Sequence, residues 1–180
     1  KGRIFRVAPP GVKFNVPKYD FTTPAGAIEA LKSPALSVRY LAFAALVDQG
    51  APARQAMMRA FQSSDDLRLK ARLLWCGAAC NAKHLGNIGG TAALPKVDPE
   101  LEVVAIRIAR QYGVDIAQIA SAAKSPAADV RRELALALRH SKSPAAPGLW
   151  AALAMQHDGK DRWYLEALGT AADKQWDAYL

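Results

Sequence analysis

The stretch VRRELALAL at residues 130–138 begins with an aliphatic residue and an arginine, and small or apolar residues follow four, seven and eight positions later. That spacing places the apolar residues on one side of an α-helix. Three other stretches share the same template: VRYLAFAAL (38–46), LRLKARLLW (67–75) and LEVVAIRIA (101–109). Their first residues are separated by 29, 34 and 29 positions. The chain therefore contains an internal repeat.

A period of this length fits a unit of two helices and two short turns. One such unit cannot bury its apolar faces alone, so neighbouring units must stack. We predict an all-α fold, a right-handed α-α superhelix of the HEAT-like, armadillo-like solenoid type, with about five helical hairpins. The first helices are predicted at 24–32, 51–63, 88–95, 115–124 and 146–156. The second helices are predicted at 34–49, 65–80, 99–112, 126–140 and 159–171. Leu46, Leu74, Ile108 and Leu138 recur on their inward stripe and are predicted to be core.

Five dipeptides punctuate the chain at the predicted helix starts. They are Thr23-Pro24, Ser33-Pro34, Asp98-Pro99, Ser125-Pro126 and Ser143-Pro144. A Ser, Thr or Asp side chain accepts a hydrogen bond from a free amide of the first turn, and proline at the first helical position has no amide to leave unpaired. Each pair therefore predicts an N-cap followed by a helix.

The N-terminal segment has a different pattern. Alternating β-branched and aromatic residues predict a short strand at Arg3–Val7. The proline-rich stretch 8–21 is predicted to be an extended linker. The chain begins at Lys1-Gly2-Arg3 without an initiator methionine. We interpret it as a segment of a larger protein.

The composition is that of a soluble globular domain, with 51% hydrophobic and 22% charged residues. No apolar run approaches the roughly 20 residues needed to cross a bilayer, so membrane insertion is not expected. The net charge is +8, which raises nucleic-acid binding as a hypothesis. Outside the basic N-terminus the charge is thinly spread, which is more typical of a solvated surface.

Cys76, Cys80 and His84 follow one another at intervals of four residues. Eight residues of helix rise about 12 Å, so the outer two side chains cannot hold one metal ion if the helix continues. We predict that both cysteines are buried and inert and that there is no metal site. The sequence leaves a redox or metal role for the two thiols open. GNIGG (86–90) follows a helix and lacks the lysine and hydroxyl residue of a phosphate loop, so an irregular turn is expected.

The stretch HDGKDRWYLEALG (157–169) concentrates polar residues at the start of a predicted helix. Asp158 stands where an N-cap is due, and Asp161 follows three residues later, as in a capping box. Trp163 and Tyr164 then contribute to an apolar helical face, and Gly169 is expected to end the helix. We predict a structural motif with no catalytic residue.

The Val-Arg pairs resemble the start of the second helix in HEAT repeats. Val38-Arg39, Leu67-Arg68 and Val130-Arg131 match this pattern, whereas Glu102 occupies the arginine position of the third unit. The resemblance implies that these arginines join polar bonds that link one repeat to the next.

Three stretches in order resemble a more specific group: GRIFRVAP (2–9), YDFTTPAGAIEALKSPALSVRYLA (19–42) and HDGKDRWYLEALG (157–169). They are similar to large bacterial membrane-bound dehydrogenases, in which a glucose/sorbosone dehydrogenase-like β-propeller precedes HEAT repeats and commonly a cytochrome c-type haem domain. The resemblance implies that 1–21 is the strand and linker remnant of an upstream propeller and that 22–180 is a HEAT-like repeat domain. It also implies export to the periplasm or cell surface, with any quinone or haem c bound by other domains and no cofactor in this segment.

The sequence predicts a non-catalytic scaffold that binds neighbouring domains or another protein. The alternative is a basic HEAT-like array that binds nucleic acid, which requires a continuous basic groove with aromatic side chains. Candidate polar residues of the concave face are Arg39, Arg68, Arg131, Arg132 and Arg162. Glu102 and Glu133 interrupt that basic surface, so nucleic acid is the less favoured partner.

Overall fold

The computed structural model describes residues 9–11, 17–85 and 98–180. Every regular element in these ranges is helical, which confirms the predicted all-helical fold for them. The elements are α1 (Pro24–Ala30), α2 (Leu36–Gln49), α3 (Ala51–Ser63), α4 (Leu67–Leu85), α5 (Pro99–Gln111), a 3₁₀ helix (Ile116–Lys124), α6 (Ala128–Ala137), α7 (Ala146–Ala154), α8 (Arg162–Ala171) and α9 (Trp176–Tyr179). The predicted strand at Arg3–Val7, the predicted helix at 88–95 and the GNIGG turn lie outside the described residues, as does much of the predicted linker.

The described helices pack in two rows. One row consists of α2, α4, α5, α6 and α8, each in contact with the next. In the other row α1 contacts α3, the 3₁₀ helix contacts α7, and α7 contacts α9. Cross-row contacts join elements that are adjacent or nearly adjacent in the chain, such as α3 with α4 and α6 with the 3₁₀ helix. This neighbour-to-neighbour packing is compatible with a solenoid.

The helix starts agree with the capping prediction at two positions and differ at the others. Thr23 caps α1 and Asp98 caps α5, each with its side chain accepting from an amide of the first turn. By contrast, α2 and α6 begin after Ala35 and Ala127, which make no side-chain cap. Ser33 and Ser125 instead accept from the amides of Ala35 and Ala127 and form turns before these helices.

The segment predicted as an α-helix at 115–124 is a 3₁₀ helix. Its buried residues include Ile116, Ile119 and Ala122, which are spaced by three. Three residues make one turn of a 3₁₀ helix, so these side chains share one edge that faces the core. Packing against α6 and α7 therefore favours the tighter winding.

Among the described residues two hydrophobic clusters form the core, and α4 contributes to both. Leu69, Leu73, Cys76 and Cys80 join the cluster built on α1 to α3, whereas Ala78 joins the larger cluster of the C-terminal half. Leu46, Ile108 and Leu138 are fully buried, as predicted. The prediction of full burial is wrong for Leu74, which is half-buried and packs against the larger cluster from outside, whereas Leu73 beside it is buried in the smaller cluster. The two side chains differ by about 100° around the helix axis.

The start of α1 is held by a compact polar network. Asp20 accepts from the hydroxyl and amide of Thr22 and from the hydroxyl of Thr23 at 2.6–2.8 Å. These bonds, chiefly the one from the Thr22 hydroxyl, lower the pKa of the exposed Asp20 carboxyl to about 2. The backbone of Gly26 passes so close to Asp20 that an added Cβ would lie 2.3 Å from the Asp20 carbonyl oxygen. Only glycine fits there.

Leu138→Ala should destabilise the fold by about 2–5 kcal/mol, because it removes a fully buried side chain from the larger cluster. Leu136→Ala, two residues earlier in α6, is the matched control: its side chain is half-buried, so its loss should be clearly smaller. Urea unfolding measures both. Equal losses would mean that α6 is rotated about its axis relative to the structure.

Gly26→Ala should destabilise by about 1–3 kcal/mol, because the methyl group meets backbone atoms that cannot move independently. Gly169→Ala provides the opposite case, since Gly169 lies within α8 with open space around it. Alanine there should stabilise by roughly 0.5–1 kcal/mol through helix propensity. Thermal unfolding of both variants tests the contrast, and a neutral Gly26→Ala would contradict the close approach.

Candidate functional site

The two aspartates of HDGKDRWYLEALG have different roles at the start of α8. Asp161 is the N-cap and accepts from the amide of Tyr164 at 3.0 Å. Asp158, predicted to stand at the cap, lies one turn earlier and accepts from the amides of Lys160 and Asp161 at 2.8 and 3.0 Å. The amides of Asp161 and Lys160 lower the pKa of the exposed Asp158 carboxyl. Helix α8 thus begins three residues later than predicted.

The expectation that Gly169 breaks this helix is wrong, whereas the end predicted at residue 171 is confirmed. The helix continues to Ala171, and the chain leaves it through Lys174, whose φ is 60°. Gly169 has no structural need for glycine, because nothing lies within 4 Å of an added Cβ. A glycine near the end of an apolar pattern predicts helix termination, but the buried Ala171 and Ala172 keep the last turn packed.

His157 holds the loop before α8 through both ring nitrogens. The amide of Gly159 donates to Nδ1 at 3.2 Å, and Nε2 lies 2.9 Å from the Asp161 carbonyl oxygen. An amide can only donate and a carbonyl can only accept, so the ring is the Nε2–H tautomer. The ring also packs against Tyr164, with centroids 5.8 Å apart. Tyr164 is buried and donates to the Leu153 carbonyl.

The side chains of the motif make these hydrogen bonds with backbone groups. Asp158, Asp161 and His157 each hold the loop, and Tyr164 anchors the helix to α7. No nucleophile lies among their described partners. The arrangement accounts for these residues as the start of a helix.

Two of the candidate arginines bind loops of their own repeats. Arg39 donates from Nη1 to the carbonyls of Ser33 and Pro34 at 2.8 and 2.7 Å. Arg131 makes the same pair of bonds to Ser125 and Pro126 at 2.7 and 3.0 Å. Both follow the sequence Ser-Pro-Ala-x-x-Val-Arg, at 33–39 and 125–131. In both units the arginine fastens the turn before its own helix.

The other three candidates are surface residues of the second helices. Arg68 is exposed at the start of α4. Arg132 pairs with Asp129 at 2.6 Å, and Arg162 lies 3.5 Å from Glu166 on the next turn of α8. Such pairs on an exposed helix face contribute little to stability. These side chains can therefore exchange partners readily.

Arg132 and Trp163 meet at a groove between α6 and α8. The groove encloses about 450 Å³ and is lined by Arg132, Leu136, Trp163, Glu166, Ala167 and Thr170. Trp163 is 70% exposed, although Tyr164 beside it is buried. A large exposed aromatic beside an arginine and an apolar floor is the composition of residues that dominate protein interfaces. We call this surface the α6/α8 groove.

Ion pairs that the repeat analysis missed link successive second helices. Lys83 pairs with Asp48, Arg107 with Glu133, and Arg139 with Asp173. Glu133 is the buried partner, and its hydrogen bond raises the pKa of Arg107. The paired residues lie 35, 26 and 34 positions apart, close to one repeat. Opposite charges one period apart were the signal that could have found them.

The stripe of Cys76, Cys80 and His84 does not converge on one site. Both thiols are buried, and burial raises the pKa of Cys76 to about 12 and raises that of Cys80. The exposed His84 ring instead lies 2.7 Å from the carbonyl oxygen of Val47. In the described part of the chain no three His, Cys, Asp or Glu side chains are arranged to hold a metal ion.

Comparison with protein-family models, with curated proteins and with solved structures finds no match for this chain. Within the described ranges, no helix combines the length and apolar character needed to cross a bilayer.

Asp161→Ala should destabilise the fold by about 0.5–2 kcal/mol, whereas Asp161→Asn should be nearly neutral, because asparagine caps a helix about as well as aspartate. Chemical unfolding of the two variants measures this. A catalytic carboxylate would behave differently, since asparagine and alanine would both abolish turnover in a longer protein that carries the activity. An asparagine variant that keeps full stability and loses that turnover would overturn the prediction that this motif contains no catalytic residue.

Proposed function

We propose that this chain is a non-catalytic scaffold, a HEAT-like α-α superhelix that binds a neighbouring domain or another protein. Three features support the superhelix: the two rows of helices, the contacts between neighbours along the chain, and the repeated arginine-bound turn at 33–39 and 125–131. Repeat arrays of this kind commonly use the surface formed by successive equivalent helices for binding.

The α6/α8 groove is the observation that carries the proposal. It lies between two successive second helices and combines an apolar floor with Arg132 and an exposed tryptophan. The candidate chemical groups of the motif form the start of α8. They are the side chains of His157, Asp158 and Asp161. The surface is thus better suited to holding a partner than to converting a substrate.

The resemblance of 2–9, 19–42 and 157–169 supports a setting for this scaffold. We place it in a multidomain dehydrogenase-like protein exported to the periplasm or cell surface, between an upstream propeller and a downstream domain. In that setting any quinone or haem c belongs to the other domains, and this segment positions them without inserting into the membrane.

Trp163→Ala should weaken binding of the 180-residue chain to the upstream domain of its parent protein at least tenfold, because the tryptophan supplies the largest exposed apolar area of the groove. Calorimetric titration of the separately produced domains measures this. Leu165→Ala is the matched control, since Leu165 is 57% exposed on the same helix but does not line the groove. Equal affinity of wild type and Trp163→Ala would exclude the groove as the binding surface.

Nucleic-acid binding is the alternative function, and the net charge of +8 is what favours it. The placement of the arginines speaks against it, because Arg39 and Arg131 bind backbone carbonyls and Arg107 pairs with Glu133. We expect no salt-dependent retardation of random duplex DNA in a gel-shift titration at physiological ionic strength. Retardation that disappears steadily with added salt, and that Arg68→Ala and Arg162→Ala weaken, would favour the alternative.

A further inference from the structure

A second concave site lies at the edge of the fold where the chain leaves α5 and α6. The loops after these helices enclose a pocket of about 380 Å³. Arg110, Arg139, His140 and Lys142 line it, and Asp115 is its single carboxylate. Liquid water takes about 30 Å³ per molecule, so the pocket holds roughly a dozen waters or a small multivalent anion. The lining is strongly basic.

Cations at helix C-termini often serve only to satisfy the free carbonyl groups of the last turn. Here backbone amides already do so. Carbonyls of Ile108, Ala109 and Arg110 accept from Tyr112, Val114 and Gly113 at 2.9–3.3 Å. Carbonyls of Ala135, Leu136 and Leu138 accept from Leu138, Arg139 and Ser141 at 2.9–3.4 Å. The basic side chains are therefore not needed as caps.

The donors of these cations are only partly used. Arg110 has its nearest carboxylate oxygen, on Glu133, at 3.9 Å. Arg139 binds Asp173 through Nη2 at 3.0 Å, and this hydrogen bond lowers the pKa of the Asp173 carboxyl. Asp115 does not neutralise the pocket fully, because the lining sets its one negative charge against two guanidinium groups and one ammonium group. Several guanidinium and ammonium donors thus remain for a ligand.

A second observation about this pocket is the backbone conformation of His140. Where the chain leaves α2 and α5, the residues with positive φ are Gly50 and Gly113. After α6 and α8 those residues are His140 and Lys174, with φ of 61° and 60°. Residues with a Cβ adopt this conformation less readily than glycine, and His140 brings an imidazole ring to the lining of the pocket. The chain carries a basic ring into the pocket where glycine would be the relaxed choice.

We infer that this pocket, formed by the loops after α5 and α6, binds the phosphate oxyanion of a small phosphorylated molecule. Arg110 and Arg139 supply guanidinium donors, which match phosphate oxygens well, and Lys142 supplies a mobile point charge. The pocket is larger than one phosphate ion, so a diphosphate or a sugar phosphate fits it better. This site lies at the helix ends and is lined by none of the residues of the α6/α8 groove.

Titration with inorganic pyrophosphate, followed by amide chemical shifts, tests the inference. Saturable shifts confined to residues 110–116 and 139–143 are expected. Lys142→Ala should weaken binding about tenfold, which corresponds to one charge-assisted hydrogen bond. Lys160→Ala, which removes an exposed lysine from another loop, is the matched control and should bind as wild type does. Equal weakening by both variants, or the absence of localised shifts, overturns the site unless the vesicle assay below supports it.

His140→Gly separates binding from folding. Glycine relieves the positive φ, so the variant should unfold at the same temperature as wild type or higher, yet bind pyrophosphate more weakly. Unchanged affinity in this variant overturns the assignment of the His140 ring to the binding site.

Cosedimentation with phosphatidylcholine vesicles that carry phosphatidic acid distinguishes the source of the phosphate. Binding to vesicles but not to pyrophosphate, lost in Lys142→Ala, assigns a lipid headgroup; binding in neither assay overturns the proposal.

Discussion

Burial of one apolar stripe per second helix against the next second helix is the constraint on which this structure depends. Leu46, Ile108 and Leu138 are fully buried in this row. Neighbouring helices along the chain cover these stripes, since α2, α4, α5, α6 and α8 each contact the next. Helix α4 matters most in this respect, because it contributes to both hydrophobic clusters and joins the two halves of the described chain.

Polar side chains mostly serve that packing. Arg39 and Arg131 fasten the turns before their helices, and Arg131 also lies 5.7 Å above the ring of Tyr164 in the following hairpin. Ion pairs one repeat apart then connect successive second helices. In the motif 157–161, backbone amides bind the two aspartates and a backbone carbonyl binds His157, and these bonds hold the start of α8.

The residues that are available for binding lie on surfaces that helix packing leaves uncovered. Helix α6 contributes to both candidate surfaces: Arg132 and Leu136 line the α6/α8 groove, whereas Arg139 and His140 belong to the basic pocket at its C-terminal end. The groove is suited to an apolar anchor and the pocket to an oxyanion. Helix α6 thus contributes to two chemically different surfaces, one along its side and one at its C-terminal end.

The sequence by itself determined the helical content, the repeat and the approximate bounds of nearly every described helix, because apolar periodicity and capping residues act over a few neighbouring positions. It also predicted that Asp158 and Asp161 start a helix. Tertiary structure decided which of them caps it, why 116–124 winds as a 3₁₀ helix, and why Leu73 is buried where Leu74 was expected. These outcomes depend on the rotation of each helix about its axis and on the neighbour it meets, and local spacing does not specify either.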